Sequence, residues 1–340
     1  MASRRSLRAL LALTASFGLV LAGCSSTPEA KESHSAMKSQ EAEKKGPKTI
    51  VDFSGNKVKI PESPKSVVVT DNRSFQILKE WKVDLKAAPL PIMSPQLHGD
   101  YVKNPKIIDL GSHREPNLEA FVSAAPDLVI NGQRFAKQSE NVKSVLPKDT
   151  AFVDINLPED MPLEEYFPKQ VMMLGDIFNK QAEAKKMVAD FNKAIERAKK
   201  AYDKKHTVMG LITSGGAINY AAPGKGRAVG PLFPMLGLTP ALEQQGSTDH
   251  QGDEVSVEAI AATNPEWIVV LDRDQAMASK DGGEYTPSAE LISGSEALQN
   301  VPAVAKKQVV VSPADFYLSE DILLYTQFIN KLAEAFESAR

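Results

Sequence analysis

Hydrophobic and polar positions divide the chain into three regimes. Residues 9–22 are apolar or small without a charge, and Arg4, Arg5 and Arg8 precede them. Residues 25–48 are rich in Ser, Glu, Lys and Pro and hold almost no large apolar side chain. From Thr49 onward, short β-branched runs alternate with segments of three- and four-residue apolar spacing. Val67-Val68-Val69, residues 106–110 and Leu128-Val129-Ile130 read as strands, with helices predicted over 75–81 and 118–124. A second series opens with a strand over 207–212 and closes with a helix over about 320–340. Strands alternating with helices imply an α/β fold with mostly parallel sheets and right-handed crossovers.

Between the two series, residues 181–202 contain neither Gly nor Pro. Ala184, Met187, Val188, Phe191, Ala194, Ile195, Ala198 and Tyr202 fall on one helical stripe, while Lys185, Lys186, Glu196, Arg197, Lys199 and Lys200 occupy the solvated faces. Such a helix spans about 33 Å and predicts a rod between two lobes. Met172 and Met173, in the helix before it, read as core filler. The predicted boundaries are a leader over 1–23, a flexible tether over 24–48, a first lobe over 49–180, the connecting helix over 181–203 and a second lobe over 204–340.

The two series also repeat each other. Leu118-Glu119-Ala120-Phe121 leads to Pro126-Asp127-Leu128-Val129-Ile130, and Val257-Glu258-Ala259-Ile260 leads to Pro265-Glu266-Trp267-Ile268-Val269, at one constant offset without gaps. Arg134 and Arg273 obey the same offset, each just beyond the carboxyl end of its strand. Ligands of open parallel sheets bind at that edge. A single loop arginine is ordinarily a solvated charge; two in equivalent loops predict a shared cleft.

Composition narrows the function. Hydrophobic residues at 42% and charged residues at 24% are ordinary for a globular protein. The formal charge of −3 becomes −6 without the leader, which holds three arginines and no acid; nucleic acid is therefore excluded as a partner on charge. The apolar run extends about 21 Å, short of the roughly 30 Å bilayer core, so it reads as a secretory signal. Cys24 is the only cysteine, which excludes disulfides and cysteine-rich metal sites. Leu21-Ala22-Gly23-Cys24 resembles the bacterial lipoprotein box and implies cleavage before Cys24 and its lipidation. Stable anchoring needs more than one acyl chain, which a diacylated Cys24 supplies. No GxSxG, P-loop, GxGxxG or HExxH occurs, so no enzyme is predicted. An adhesin or structural lipoprotein leaves the paired arginines unexplained. His34 sits in the tether, and His98, His113 and His206 have no partners at ligand spacing, which argues against capture of a bare metal ion.

From Thr49 to the C-terminus the chain resembles the substrate-binding lipoproteins of ABC importers for ferric siderophores, heme and vitamin B12. The similarity rests on the opening Val51-Asp52-Phe53-Ser54-Gly55-Asn56-Lys57-Val58-Lys59-Ile60-Pro61, on Pro64-Lys65-Ser66-Val67-Val68, and on the two Glu-helix-Pro-acid-strand copies. It implies the architecture of class III periplasmic binding proteins: two α/β lobes, each with a mostly parallel central sheet, one rigid connecting helix, a ligand between the lobes and little hinge motion.

Within the family the chain is most similar to the ferric catecholate branch. Gly111-Ser112, Glu115-Pro116-Asn117-Leu118-Glu119 and Asn131-Gly132-Gln133-Arg134 carry the likeness in the first lobe. Gly224-Lys225-Gly226-Arg227, His250-Gln251-Gly252, Asp272-Arg273 and Pro313-Ala314-Asp315-Phe316-Tyr317-Leu318 carry it in the second. One extra residue separates His250 from Ser256-Val257-Glu258, and Phe316 replaces a larger aromatic. The resemblance implies Arg134, Arg227 and Arg273 as ligand-binding cleft arginines. It also implies His250 and Tyr317 as cleft contacts that complete iron coordination where the siderophore offers only four donors. Arg73, after the first strand, and Tyr220, before the Arg227 loop, are candidate rim residues. Glu119 and Glu258 are implied to dock on the two subunits of an ABC permease, served by its ATPase subunits. No cofactor is expected. A monomer held on the outer face of the cell membrane by its lipid follows, with heme or a corrinoid as the alternative ligand.

The chemistry suits the charges. A ferric tris-catecholate complex is a trianion, and burying it without compensation is prohibitive. Three guanidiniums neutralise it, stay protonated and donate in planar forks. Ferric iron prefers oxygen donors and accepts imidazole.

Overall fold

The structure, a computed structural model, describes residues 48–340. The leader, Cys24 and the tether through residue 47 lie outside the described residues. Among the described residues no helix is long and apolar enough to cross a membrane.

An antiparallel hairpin of β1 (Lys48–Val51) and β2 (Lys57–Ile60) opens the fold. The Asp52 carboxylate closes its turn by accepting from the Ser54 and Asn56 amides. The first lobe then builds a parallel sheet from β3 (Val67–Val69), β4 (Ala87–Ala88), β5 (Ile108–Asp109), β6 (Leu128–Asn131) and β7 (Ala151–Asp154), in the order β5-β4-β3-β6-β7. The second lobe builds β8 (Thr207–Ser214), β9 (Ala217–Tyr220), β10 (Thr239–Pro240), β11 (Trp267–Asp272) and β12 (Val309–Val311) in the order β10-β8-β11-β12, with β9 antiparallel on β8. The central strands β6 and β11 are buried along their whole length, as helices on both faces require.

The 106–110 run forms a shorter strand than predicted. The Asn104 side chain and carbonyl accept from the Lys106 and Ile107 amides, so a turn consumes the first donors. Asp109 then accepts from the Gly111 amide and bends the chain away.

The repeat is visible in the atoms. Helix Leu118–Ala124 is capped by Asn117, which accepts from the Ala120 amide; helix Val257–Ala262 is capped by Ser256, which accepts from Ala259. Ala125 and Asn264, again at equivalent positions, end these segments at positive φ. The acid of each Pro-acid turn starts the neighbouring strand. Asp127 accepts from the Lys65 and Ser66 amides before β3, and Glu266 accepts from the Thr207 amide that begins β8.

Helix Gln181–Ala201 follows helix Leu163–Phe178 of the first lobe and packs along the C-terminal helix Ile322–Ser338 of the second. An aromatic chain fastens these elements: Phe167 meets Phe191 at 5.8 Å and Tyr325 at 5.1 Å, and Tyr325 meets Phe316 at 4.9 Å.

The loop after β3 is polar yet buried. Thr70, Asp71, Asn72 and Ser74 are fully inaccessible. Asp71 accepts from the Ser74 hydroxyl at 2.6 Å and from Gln170 at 3.1 Å, while its other oxygen has no partner among the described residues. Burial outweighs the Ser74 hydrogen bond and the Arg73 charge and pushes the Asp71 carboxyl up to about 6. A carboxyl raised on folding contributes stability that is lost as pH climbs from the unfolded toward the folded pKa. Asp71→Asn is therefore expected to gain on the parent chain by roughly 2 kcal/mol between about pH 4.5 and about pH 7.5 in urea unfolding. A difference independent of pH would assign Asp71 an ordinary folded-state pKa.

Candidate ligand-binding cleft

Four arginines reach the gap between the lobes from the ends of strands or from a tight turn. Arg73 follows β3, and Arg134 lies in the short helix Gln133–Gln138 directly after β6. Arg273 is the first residue of helix Arg273–Asp281 after β11, where the Asp272 side chain caps the helix. Arg227 sits in the turn after β9. Gly226 makes that turn possible: a Cβ there would lie 2.5 Å from the backbone of Ala221 and Ala222. Ala228 takes φ 64, and its carbonyl accepts from the Tyr325 hydroxyl at 2.9 Å.

Tyr317, in helix Phe316–Ser319 after β12, lies among three of them. The guanidinium carbons of Arg227, Arg273 and Arg134 stand 4.6, 5.1 and 5.3 Å from its ring centroid. All are within cation–π range. Arg134 also donates to the Tyr317 carbonyl at 3.1 Å, and Arg273 donates to the Ser214 hydroxyl at 3.0 Å. These bonds leave donors over. Nε of Arg134 and Arg273, and Nη2 of Arg227, are buried with no acceptor among the described residues.

Glu320 occupies the floor. It is buried, its Oε1 accepts from Arg227 Nε at 2.5 Å, and its Oε2 lies 3.6 Å from Arg73 Nη2. Burial pushes the Glu320 carboxyl up, but Arg227, Arg73 and Arg134 together outweigh it and hold the carboxyl below its usual range. Burial opposes the charge of Arg227, and Glu320 with Tyr317 outweighs it, so its pKa moves upward. Arg134 moves the other way, through burial and the Arg227 charge. Arg73, Gln133, Arg227, Thr248 and Glu320 share a cavity of about 230 Å³. A larger groove of about 900 Å³ opens at the amino-terminal edge of the second sheet around Tyr202, Trp267 and Phe336, and none of the four arginines reaches it.

The structure thus brings Arg134, Arg227, Arg273 and Tyr317 together. Two expectations need correction. Arg73 is a buried floor residue rather than a rim residue, 5.6 Å over the Tyr166 ring and 5.9 Å over Phe167. Tyr220 does not reach the rim: it is buried in the second-lobe core, and its hydroxyl donates to the Leu242 carbonyl at 2.7 Å. His250 is partly exposed, with Nδ1 3.8 Å from Asp249. Burial lowers its pKa against the pull of Asp249, and Arg273, Arg227 and Arg114 lower it further, which puts it in the field of the cluster. Among the described residues no group of three or more His, Cys, Asp or Glu side chains is placed to hold a metal ion. Glu119 and Glu258 are exposed in the first turns of their equivalent helices.

Residue-by-residue reading missed Glu320 and His113. The His113 pKa is lowered by burial and then by Arg134, Arg114 and Arg227, so this loop also faces the cluster. Glu320 carried one faint signal, an acid directly after the Tyr317 segment.

The profile of the family described as periplasmic binding protein matches residues 67–316, and the chain belongs to this family; it is a binding protein and not an enzyme. The petrobactin-binding protein YclQ of Bacillus subtilis is 29% identical over 290 residues, 83% of this chain and 86% of that protein. The ferric-anguibactin-binding protein FatB of Vibrio anguillarum is 27% identical, over 68% of this chain and 70% of its own length. The crystal structure of YclQ superimposes with a TM-score of 0.71 at 24% identity, covering 86% of this chain and 99% of that one.

Because the Arg227 turn leaves no room for a side chain at Gly226, Gly226→Ala is expected to destabilise the protein by about 2 kcal/mol. A urea-unfolding midpoint equal to that of the parent chain would show that the turn yields without cost.

Proposed function

We propose that the chain is the substrate-binding component of an ABC importer and captures an anionic ferric siderophore of catecholate type between its lobes. The observation that carries this reading is the convergence of Arg134, Arg227 and Arg273 on Tyr317 with a single carboxylate, Glu320, in ion-pair contact among the described residues. Guanidiniums this close repel one another and work against the empty cleft. Catecholate oxygens around a ferric ion supply the missing negative charge and accept from the guanidinium edges that face the gap. The names of the relatives point the same way: one binds petrobactin, one ferric anguibactin, and a third, from Bacillus subtilis, Fe(3+)-citrate.

In this reading Arg134, Arg227 and Arg273 bind the chelate, and Arg73 holds the floor beneath it. Tyr317 lies at the centre, and His250 stands in the same field; both are suited to complete iron coordination when the siderophore leaves positions open. A single chain supplies the whole cleft, so a monomer suffices. Cleavage and acylation at Cys24 hold the protein on the outer face of the cell membrane, and residues 24–48 act as its tether. Glu119 and Glu258 present one carboxylate per lobe, a pattern that fits a permease with two related subunits.

The test is titration of the soluble domain with ferric catecholate chelates, metal-free siderophore, heme and cobalamin, read by fluorescence quenching. Ferric catecholate is expected to bind far more tightly than the others. Arg134→Ala, Arg227→Ala and Arg273→Ala are each expected to weaken it at least tenfold, about 1.4 kcal/mol. Tight binding of heme alone, or unchanged affinity in all three variants, would overturn the assignment.

The docking role predicts a separation of phenotypes. The double variant Glu119→Ala with Glu258→Ala is expected to keep the parent affinity for the chelate yet lose uptake in cells. Normal iron uptake by that variant would reject the role.

A further inference from the structure

The carboxylate of Glu320 is buried at a position where the fold makes it costly. It follows helix Phe316–Ser319 at φ 50 and ψ 35, a left-handed backbone that favours glycine. A non-glycine residue there is strained, and burying a carboxylate costs more unless it is paired. Both penalties fall on one residue, and that residue points at the ligand cavity beside Arg73 and Arg227.

Its electrostatic effect is specific. Among the described residues Glu320 is the one carboxylate in ion-pair contact with any of the four cleft arginines. In the cavity that Glu320 lines, Arg73, Arg227 and Lys225 face this one carboxylate, and Arg134 and Arg273 add positive charge beside it. Removing Glu320 would raise the positive charge of the site by one and release the Nε edge of Arg227. The carboxylate also lies close enough to a molecule in the cavity to repel it. At a separation of about 8 Å and an effective dielectric constant of about 20, each added negative charge on the ligand costs roughly a further thirtyfold in affinity before relaxation.

We infer that Glu320 is a resident counter-anion that sets the charge selectivity of the cleft, penalising each further negative charge on the bound chelate. This rests on the reading of the cleft as a site for an anionic ferric chelate. It deepens that reading by assigning charge selectivity to one side chain.

The experiment varies ligand charge at constant shape. A tripodal tris-catecholamide wrapped around iron(III) is a trianion, and the same ligand around titanium(IV) is a dianion. Calorimetric titration of the parent protein with each complex gives the ratio of the two dissociation constants, dianion over trianion. In Glu320→Gln this ratio is expected to rise about tenfold, because the trianion gains most when the carboxylate charge is removed. In Glu320→Asp, which keeps the charge, it is expected to stay within about twofold of the parent. A carboxylate that merely held Arg227 in position would weaken both complexes together and leave the ratio in place. An unmoved or falling ratio in Glu320→Gln would overturn the inference while the cleft assignment stands. Binding of neither complex by the parent protein would overturn the cleft reading and this inference with it. Failure of both variants to fold would assign Glu320 to the fold and reject the selectivity role.

Discussion

The site depends on holding like charges together out of bulk water. Three guanidiniums surround one tyrosine ring, and a fourth lies behind them over two further rings. Arginine tolerates this crowding better than lysine, since its charge is spread over a plane and is weakly hydrated. The ring faces contribute about 0.5–2 kcal/mol per contact. Glu320, the Tyr317 carbonyl and the Ser214 hydroxyl take some of the donors. Among the described residues no other carboxylate forms an ion pair with these arginines, so the cluster keeps an excess of positive charge that an anion would offset.

That arrangement requires the lobes to hold a fixed relation, and polar bonds between them provide it. The segment from Asp315 to Glu320 belongs to the second lobe, yet it bonds to the first as well as to its own lobe. Ser94 donates to Asp315 at 2.6 Å, Asn72 donates to the Leu318 carbonyl at 3.1 Å, Arg134 donates to the Tyr317 carbonyl, and Arg73 faces Glu320. Asn72 and Arg73 of the buried loop after β3 thus tie it to the Tyr317 segment, while Thr70 and Asp71 bond within the first lobe. Beneath them the aromatic chain through Phe167, Tyr325 and Phe316 joins the helices of both lobes. The site is seated on an apolar bearing and clamped by hydrogen bonds.

Much of this was legible in the sequence because it is local or periodic. The connecting helix, the strands 67–69 and 128–130, and the repeated Glu-helix-Pro-acid-strand unit follow from spacing alone. Equivalent positions in that unit perform equivalent work down to the caps at Asn117 and Ser256. The cluster of Arg134, Arg227, Arg273 and Tyr317 was approached through the repeat and the family likeness. Glu320 was only faintly legible, because an acid at the predicted start of the C-terminal helix reads as a solvated helix start. Its burial comes from elements far away in sequence. Tyr220 failed for the complementary reason. An aromatic beside a glycine-rich turn looks like a rim residue, yet its hydroxyl finds Leu242 and the ring closes the second core.

The repeat also places charges of opposite sign at one edge of each sheet through topology. In a parallel sheet, the helix that precedes a strand runs opposite to it. The start of the helix and the end of the strand therefore lie at the same carboxyl edge. Each copy of the unit places an exposed glutamate at the helix start and an arginine beyond the strand end, Glu119 with Arg134 and Glu258 with Arg273. The helix dipole favours the carboxylate at that end, and the strand end leaves the arginine free to turn into the gap. One short unit, used twice, thus supplies negative charge outward and positive charge inward on the same edge. A partner that engaged both glutamates at once would lie along the same edge as the two arginines.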